Sequence, residues 1–196
     1  MLVVPVWIAF GKPGAHAPSA CGTIFSDDHG KTWQAGDLCL PNEGDFANPN
    51  ETMITELSDG RVMLVARSVS KANRKIVTTS PDGARNWTAP AFHDQLWEPV
   101  CMASIVSHPS KPGTLIFSNP HTLKLDKDGQ EIPAGRGKRE NLSIKLSHDD
   151  GKTWPVNKTL DAGPSAYSDL AVLPGDDDFG CEVGDEAVDV ALDREE

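Results

Sequence analysis

The residues best suited to chemistry in this chain are a tyrosine, a glutamate and arginines that lie far apart in the sequence. Tyr167 is the only tyrosine among the 196 residues, and glutamates and arginines lie upstream of it. A phenol has a pKa of about 10, so its oxygen becomes a good nucleophile only where a base such as a carboxylate takes the proton. A planar guanidinium group is well matched to a carboxylate ligand. Together these residues could combine nucleophilic chemistry with recognition of an anion.

Each of these residues also has an ordinary structural interpretation. A lone tyrosine is more often a core residue whose hydroxyl is satisfied, and a glutamate usually lies exposed at the surface. An arginine at the end of a strand, such as Arg67, usually forms a surface ion pair that contributes little free energy. The elements that position the residues must therefore decide between the two interpretations.

A short repeat dominates the organisation of the chain. Residues 26–33 and 147–154 both fit the pattern Ser-x-Asp-x-Gly-x-Thr-Trp, and residues 80–87 form a weakened copy with Ala84 where glycine is expected. In this pattern Asp and Gly supply a turn, and the Trp folds back over a hairpin. The tryptophans of successive copies are 54 and 67 residues apart. This spacing predicts one four-stranded unit per repeat, with insertions.

The segments around the repeats predict short strands and no helix. They are rich in Val, Ile and Thr and are bounded by Gly, Pro, Asn and Asp. A polar stretch from Pro120 to Lys138 predicts a long inserted loop. The predicted strands are Leu2–Ala9, Gly22–Ser26, Thr52–Leu57, Arg61–Arg67, Lys75–Ser80, Ala103–Ser107, Thr114–Ser118, Leu142–Ser147 and Asp169–Leu173.

The repeats resemble the Asp boxes of the sialidase (neuraminidase) superfamily and of related BNR-repeat proteins. Three further segments are similar to bacterial-type exo-α-sialidases, and these segments are residues 49–67, 139–143 and 164–170. The resemblance implies an all-β fold, the six-bladed β-propeller of sialidases. At about 50 residues per blade, residues 1–175 supply only about three to four blades, and residues 176–196 form an acidic tail predicted to be poorly ordered.

The resemblance also implies roles for the four residues. Tyr167 matches the nucleophile, and Glu51 matches the base that activates it. Arg67 and Arg139 match two of the three arginines that hold the carboxylate of sialic acid, with Arg136 as the competing choice for the second. A carboxylate on the anomeric carbon would repel an anionic nucleophile, which explains a neutral tyrosine as an exception among glycosidases. The implied function is release of terminal sialic acid from glycans by a retaining mechanism.

The sequence departs from the family pattern in two places. The family's first arginine lies in an Arg-Ile-Pro context that is absent here, and its acid/base Asp matches no residue of this chain. Loss of leaving-group protonation alone costs about 10²–10⁴-fold in rate, so this chain alone is expected to turn over poorly. A second hypothesis is therefore an inactive sialic-acid-binding or scaffold propeller. A third is a different BNR-repeat protein, unrelated to sialic acid.

Composition limits the partners that the chain can have. Its net charge is −11, but residues 175–196 alone carry ten acidic residues and one arginine, which leaves about −2 for the rest. The sequence shows no basic cluster of the kind that binds nucleic acid, and it has no apolar run long enough to span a membrane. The first ten residues lack the features of a signal peptide, although full-length relatives are often secreted or periplasmic.

The cysteines indicate no cofactor site. Cys21, Cys39, Cys101 and Cys181 lack metal-ligand spacing, and no His, Cys and carboxylate cluster indicates a metal. Cys21 and Cys39 flank one predicted hairpin, so either a disulfide or two buried thiols fits the sequence. No cofactor is expected. The open strand edges of an incomplete propeller also predict possible self-association.

Overall fold

The computed structural model describes residues 1–133 and 136–172, together with two strands at 179–183 and 186–190. These described residues contain fourteen β-strands and no helix, which confirms the predicted all-β fold. The strands are β1 (Leu2–Ala9), β2 (Ser19–Ser26), β3 (Gln34–Ala35), β4 (Asn50–Glu56), β5 (Val62–Arg67), β6 (Arg74–Ser80), β7 (Ala91–Trp97), β8 (Ser104–Ser107), β9 (Leu115–Pro120), β10 (Glu140–Ser147), β11 (Val156–Pro164), β12 (Ser168–Val172), β13 (Phe179–Val183) and β14 (Glu186–Val190).

The strands form four antiparallel sheets in which sequential strands are neighbours. The sheets are β1-β2-β3, β4-β5-β6-β7, β8-β9-β10-β11 and β12-β13-β14. The first strands of the last three sheets lie next to each other, since β8 contacts both β4 and β12. Four meandering sheets arranged in this way form part of a β-propeller, in agreement with the predicted three to four blades.

The side chains of β5 explain how the sheets stack. Met63 and Val65 lie in an apolar cluster with residues of the third sheet, whereas Leu64 and Ala66 lie in a second cluster with residues of the first sheet. Successive side chains of a strand point to opposite faces, so this strand is covered on both sides. The core therefore consists of apolar layers between neighbouring sheets, and β5 has a continuous apolar sequence.

The three repeats form the turns β2–β3, β6–β7 and β10–β11. In the first, Ser26 Oγ accepts a hydrogen bond from the Gly30 amide at 2.8 Å, and Asp28 Oδ1 accepts one from the Thr32 amide at 2.8 Å. The equivalent residues of the third repeat form the same bonds. The hairpin prediction made from the motif is therefore confirmed.

The weakened repeat forms its turn one residue earlier. Gly83, rather than Ala84, has the positive φ of 76°, and Asp82 Oδ1 accepts bonds from the amides of Ala84 and Arg85 at 2.8 and 2.9 Å. Glycine adopts positive φ without steric cost, so the shift of the glycine shifts the turn. A hairpin forms in spite of the missing consensus glycine.

Strands β3, β7 and β11 were missed by the strand prediction. The residues of β3 and β11 are largely exposed, and in β7 only Leu96 is buried. A strand at the outer edge of a sheet buries few side chains, so its sequence carries little of the apolar alternation from which strands are predicted. Backbone pairing to the next strand inward defines these strands instead.

The acidic segment also differs from the expectation. The sequence indicated no strand pattern beyond Gly175, but β13 pairs with β12, and β14 pairs with β13. Backbone pairing does not require an apolar pattern, so two strands form here without one. The poorly ordered tail at residues 176–196 stays a prediction. Residues 173–178, 184–185 and 191–196 lie outside the described residues, and the boundary at 175/176 stays a prediction.

Cys21 and Cys39 are free, buried thiols, so the structure has the second of the two alternatives left open by the sequence. Cys39 Sγ donates to the Cys21 carbonyl at 3.6 Å. Burial raises the pKa of both thiols, that of Cys39 to about 12. Both side chains therefore behave as neutral apolar groups of the layer between the first two sheets.

Candidate active site

A bulge at the start of β4 directs Glu51. Asn50 pairs with Arg67 and Thr52 pairs with Ala66, so Glu51 is the extra residue between two pairs. Its φ of 27° lies in the left-handed region that non-glycine residues rarely adopt. Bulges change the direction of a side chain and are frequent beside active sites. The bulge therefore sets the direction in which the Glu51 side chain points.

Tyr167, Glu51 and Arg67 meet in one hydrogen-bonded cluster. Tyr167 directly precedes β12, and its hydroxyl donates to Glu51 Oε1 at 2.5 Å. Arg67, the last residue of β5, donates from Nη1 both to the Tyr167 hydroxyl at 3.0 Å and to Glu51 Oε2. The structure thus brings together three residues that are separated by up to 116 positions in the chain.

Arg139 completes one side of the cluster. Its guanidinium carbon lies 5.5 Å from the centre of the Tyr167 ring, and its Nη2 donates to the carbonyl of Val100 at 2.6 Å. The carbonyl of Arg139 also accepts from the amide of Ser165 at 2.8 Å. Arg139, rather than the competing Arg136, is therefore the arginine that lies over the tyrosine ring.

The charges in the cluster oppose each other at the phenol. Burial raises the pKa of Tyr167, as do the hydrogen bond to Glu51 and its negative charge, whereas Arg67 lowers it. For Arg67, burial lowers the pKa, but the hydrogen bond and charge of Glu51 outweigh it, and the net shift is upward. The phenol is therefore protonated at neutral pH, and Arg67 carries a positive charge.

The arrangement is suited to transfer of the phenol proton. Glu51 lies at hydrogen-bond distance from that proton, and the Tyr167 residue is 44% exposed, so a ligand can reach its oxygen. The Arg67 and Glu51 side chains are only 15% and 21% exposed. Within the described residues, no group of three or more His, Cys, Asp or Glu side chains is placed to hold a metal ion.

A second layer of residues, which the sequence analysis did not identify, lies behind the cluster. Lys75 and Glu98 form a fully buried ion pair, and both hold the backbone of Cys101. The thiol of Cys101 in turn donates to the carbonyl of Ala166, next to Tyr167. Lys75 lies inside a strand pattern, where a charged residue is usually assigned to an exposed face, and Glu98 lies in no predicted strand, so the sequence carried no signal for this pair.

The four sheets, their Asp-box turns and the tyrosine cluster at one end of the strands define a β-propeller of the Asp-box class. The family model described as "BNR repeat-like domain" matches residues 2–179. The chain belongs to this family, and its relatives place it in the BNR-repeat sialidase superfamily. The resemblance inferred from the repeats is confirmed.

Two curated relatives and one solved structure illustrate the similarity. A sialidase of Micromonospora viridifaciens is 34% identical over 159 residues, which cover 78% of this chain and 22% of that protein. Sialidase-2 of Cricetulus griseus is 30% identical over 92% of this chain and 47% of that protein. The structure of the Hadza microbial sialidase Hz136 matches with a TM-score of 0.66 and 32% identity, over 83% of this chain and 29% of that chain.

The chain spans less than half the length of each of these relatives. Among the described residues, the structure contains no helix with the length and apolar character required to cross a membrane.

Proposed function

We propose that this chain carries the tyrosine half of the active site of an exo-α-sialidase, which releases terminal sialic acid from glycoconjugates with retention of configuration. The observation that supports this proposal most directly is the 2.5 Å hydrogen bond from the Tyr167 hydroxyl to Glu51. A scaffold protein gains nothing from a strained bulge that aims a carboxylate at an exposed phenol.

In the proposed first step, the Tyr167 oxygen forms a bond to the anomeric carbon of the sialoside. The phenol proton passes to Glu51 Oε1, and the bond between the anomeric carbon and the aglycone oxygen breaks. That oxygen leaves as an alcohol once an acid has protonated it. A neutral phenol is the appropriate nucleophile, because the adjacent carboxylate of the substrate repels an anion.

In the second step, water attacks the anomeric carbon and the bond to Tyr167 breaks. The phenolate recovers its proton from Glu51, and the proton of the water passes to a base of the complete site or to solvent. Each step inverts the anomeric carbon, so the two together retain its configuration. Glu51 thus acts as a base in the first step and as an acid in the second.

The two arginines supply the anion recognition. In this proposal Arg67 and Arg139 bind the substrate carboxylate beside the attacked carbon. Their positions beside the phenol oxygen and over the tyrosine ring support this role. Arg67 also forms an ion pair with Glu51. Its positive charge reduces the repulsion between the Glu51 carboxylate and the carboxylate of the substrate. Sialic acid, a sugar with a carboxylate on its anomeric carbon, fits this pair of functions.

Turnover by this chain alone is expected to be low, because no residue matches the acid/base Asp of the family. A sialosyl fluoride tests the tyrosine half separately, since fluoride leaves without protonation. We expect 2,3-difluorosialic acid to lose its C2 fluoride and to add one 3-fluorosialosyl group to the peptide that contains Tyr167, as detected by mass spectrometry. Tyr167→Phe should abolish the adduct, and Glu51→Gln should slow its formation by about 10²–10⁴-fold.

A matched control is Glu56→Gln, which changes an exposed glutamate at the other end of the same strand. Its rate of adduct formation should equal that of the unaltered chain. An unmodified Tyr167, or an adduct that persists in the phenylalanine variant, would falsify the nucleophile assignment. The inactive glycan-binding propeller is the correct alternative if no adduct forms and if sialyllactose binds equally well to the unaltered chain and to the Tyr167→Phe variant.

A further inference from the structure

Lys75 and Glu98 form an ion pair in the interior of the protein. Lys75 Nζ lies 2.8 Å from Glu98 Oε2, and the two side chains are 0% and 1% exposed. Removal of two charges from water often costs more free energy than their attraction returns, so a buried pair is weak evidence of a stabilising role. The contacts of the pair indicate better what it does.

Both charged groups hold the same residue, Cys101. Glu98 Oε1 accepts a hydrogen bond from the Cys101 amide at 2.9 Å, and Lys75 Nζ donates to the Cys101 carbonyl at 2.5 Å. Glu98 Oε2 also accepts from the amide of Ser68, the residue after Arg67, at 3.2 Å. The pair therefore fixes Cys101 on both sides and connects it to the end of β5.

The residue before Cys101 has a strained backbone. Val100 has a φ of 59°, in a region that a β-branched residue rarely adopts. Such strain persists only where the surroundings impose it, and it is concentrated at functional sites. The amide of Glu98 donates to the Asn73 carbonyl at 2.9 Å, so the segment is held before Val100 as well as after it.

This held segment meets the candidate site at two points. The Val100 carbonyl accepts the 2.6 Å hydrogen bond from Arg139 Nη2. The Cys101 thiol donates to the Ala166 carbonyl at 3.2 Å, in the peptide that leads into Tyr167. The arginine over the ring and the chain next to the ring are thus both attached to residues 100–101.

We propose that Lys75 and Glu98 are positioning residues, which hold Val100 and Cys101 in the one backbone arrangement that places Arg139 and Tyr167 for reaction. Neither residue of the pair contacts the candidate nucleophile, so the effect passes through the segment between them. The reaction at Tyr167 rests on the function proposed above, whereas the placement of Tyr167 is a structural property that can be measured without any reaction.

The test replaces both charges together. Lys75→Met/Glu98→Leu leaves no unpaired charge in the interior, so the effect on the site is separated from the cost of an isolated buried ion. Because Tyr167 is the only tyrosine, selective ¹³C labelling of tyrosine gives one resonance, which reports on its environment. We expect this resonance to move toward that of an exposed tyrosine and adduct formation with the difluoride to slow by about 10–100-fold.

A control pair lies at the far end of the β4–β5 hairpin. Arg61 and Asp59 form an exposed ion pair there, with the two side chains 45% and 49% exposed. The variant Asp59→Asn/Arg61→Gln removes that pair and should leave both the tyrosine resonance and the adduct rate unchanged. A shift of equal size in this control would assign the effect to any loss of charge and overturn the proposal.

A rescue variant separates positioning from a general structural role. Val100→Gly, added to the double replacement, allows the positive φ without steric cost, so the segment no longer needs the pair to hold it. We expect the tyrosine resonance and most of the adduct rate to return. If the double replacement does not fold, Glu98→Gln provides the second test. It replaces one of the two acceptor oxygens that hold Cys101, Ser68 and Lys75 with a donor, so it should still shift the resonance in the same direction.

The possible outcomes distinguish the two proposals. A folded double variant with an unchanged resonance and adduct rate contradicts the positioning role, as does an unchanged resonance in Glu98→Gln. An unaltered chain that forms no adduct contradicts the tyrosine-nucleophile function alone, because the resonance comparison needs no reaction.

Discussion

The first and third Asp boxes have the same motif but different surroundings. Their internal turns are nearly identical, since His29 and Asp150 both have a φ of 60° and the glycine after each also has positive φ. Their tryptophans differ greatly, because Trp33 is 44% exposed and Trp154 is 4% exposed. The same eight-residue motif therefore gives one turn and two levels of burial.

The difference comes from the preceding sheet. The third box receives bonds from the second sheet, since the amide and hydroxyl of Ser58 donate to Asp150 at 2.8 and 2.6 Å. The Trp154 amide donates to Gln95 Oε1 at 2.7 Å. In the first box, the Trp33 indole donates to the Gly30 carbonyl of the same turn at 3.1 Å. A box becomes part of the core only where a neighbouring sheet covers it.

The second box follows the behaviour of the third. The Thr23 hydroxyl donates to the Gly83 carbonyl at 2.8 Å, and the Asn86 amide donates to the Asp37 carboxylate at 3.1 Å. Both partners precede the box and belong to the region of the first sheet. The boxes of the second and third sheets are thus each attached to the preceding sheet. The motif therefore joins neighbouring sheets as well as closing a hairpin.

The largest expected effect is on the two tryptophans. Trp154→Ala should destabilise the fold by about 3–5 kcal/mol, because it leaves a cavity in the layer between the second and third sheets. Trp33→Ala should cost only about 1–2 kcal/mol, since much of its ring already contacts water. Urea unfolding of both variants measures the difference, and equal losses would show that the two boxes are equally part of the core.

A smaller effect is expected at the residue before the glycine of each box. Asp150→Ala and His29→Ala place the same residue at the same positive φ, so the strain is equal in both. Only Asp150 bonds to a neighbouring sheet, and we expect its loss to cost about 1 kcal/mol more, because the bond is solvent-exposed. A difference near zero in the urea midpoints would mean that the Ser58 bond contributes nothing to stability.

The smallest effect concerns the acid response, in which the two boxes should agree. Hydrogen bonds from Thr32 lower the pKa of Asp28 to about 2. Burial raises the pKa of Asp149, but hydrogen bonds from Thr153 and Ser147 lower it to about 2. A lowered folded pKa contributes stability that is complete above the unfolded value of about 4 and is lost as the pH falls toward 2.

Asp28→Asn and Asp149→Asn should therefore each weaken the pH dependence of the unfolding midpoint between about pH 4 and pH 2. Above this range the variants should show no additional pH dependence from this group. Thermal or urea unfolding at several pH values provides the measurement. If only Asp149→Asn changed the pH dependence of the unfolding midpoint, the low pKa would require the neighbouring sheet as well as the local turn.

Much of the fold could be predicted because the relevant signals are local. The nine predicted strands correspond to observed strands, with β1 reproduced at both ends and most others within a few residues. The Asp-box turns depend on residues within eight positions of each other, so a single segment contains all the information. The outer strands, such as β11, escaped prediction because exposed strands lack apolar alternation.

The candidate site was predictable by residue type but not by geometry. The family resemblance suggested both the residues and their roles, and the chemistry of a phenol, a carboxylate and two guanidinium groups explains why these types belong together. That Glu51 lies on a bulge, and that Arg67 lies between it and Tyr167, depends on the pairing of β4 with β5 and on the stacking of the sheets. Lys75 was missed because a charge inside a strand pattern is usually solvent-exposed, and Glu98, which follows β7, lies in no predicted strand.

The sequence by itself determined the repeats, the hairpin turns and the all-β class, since these depend on side chains that contact their own neighbours along the chain. Only the tertiary structure decided which Asp box is buried, which arginine lies over Tyr167, and how residues 100–101 connect a buried ion pair to the site. These properties depend on contacts between sheets far apart in sequence, where packing and desolvation, rather than local backbone preference, set the free energy.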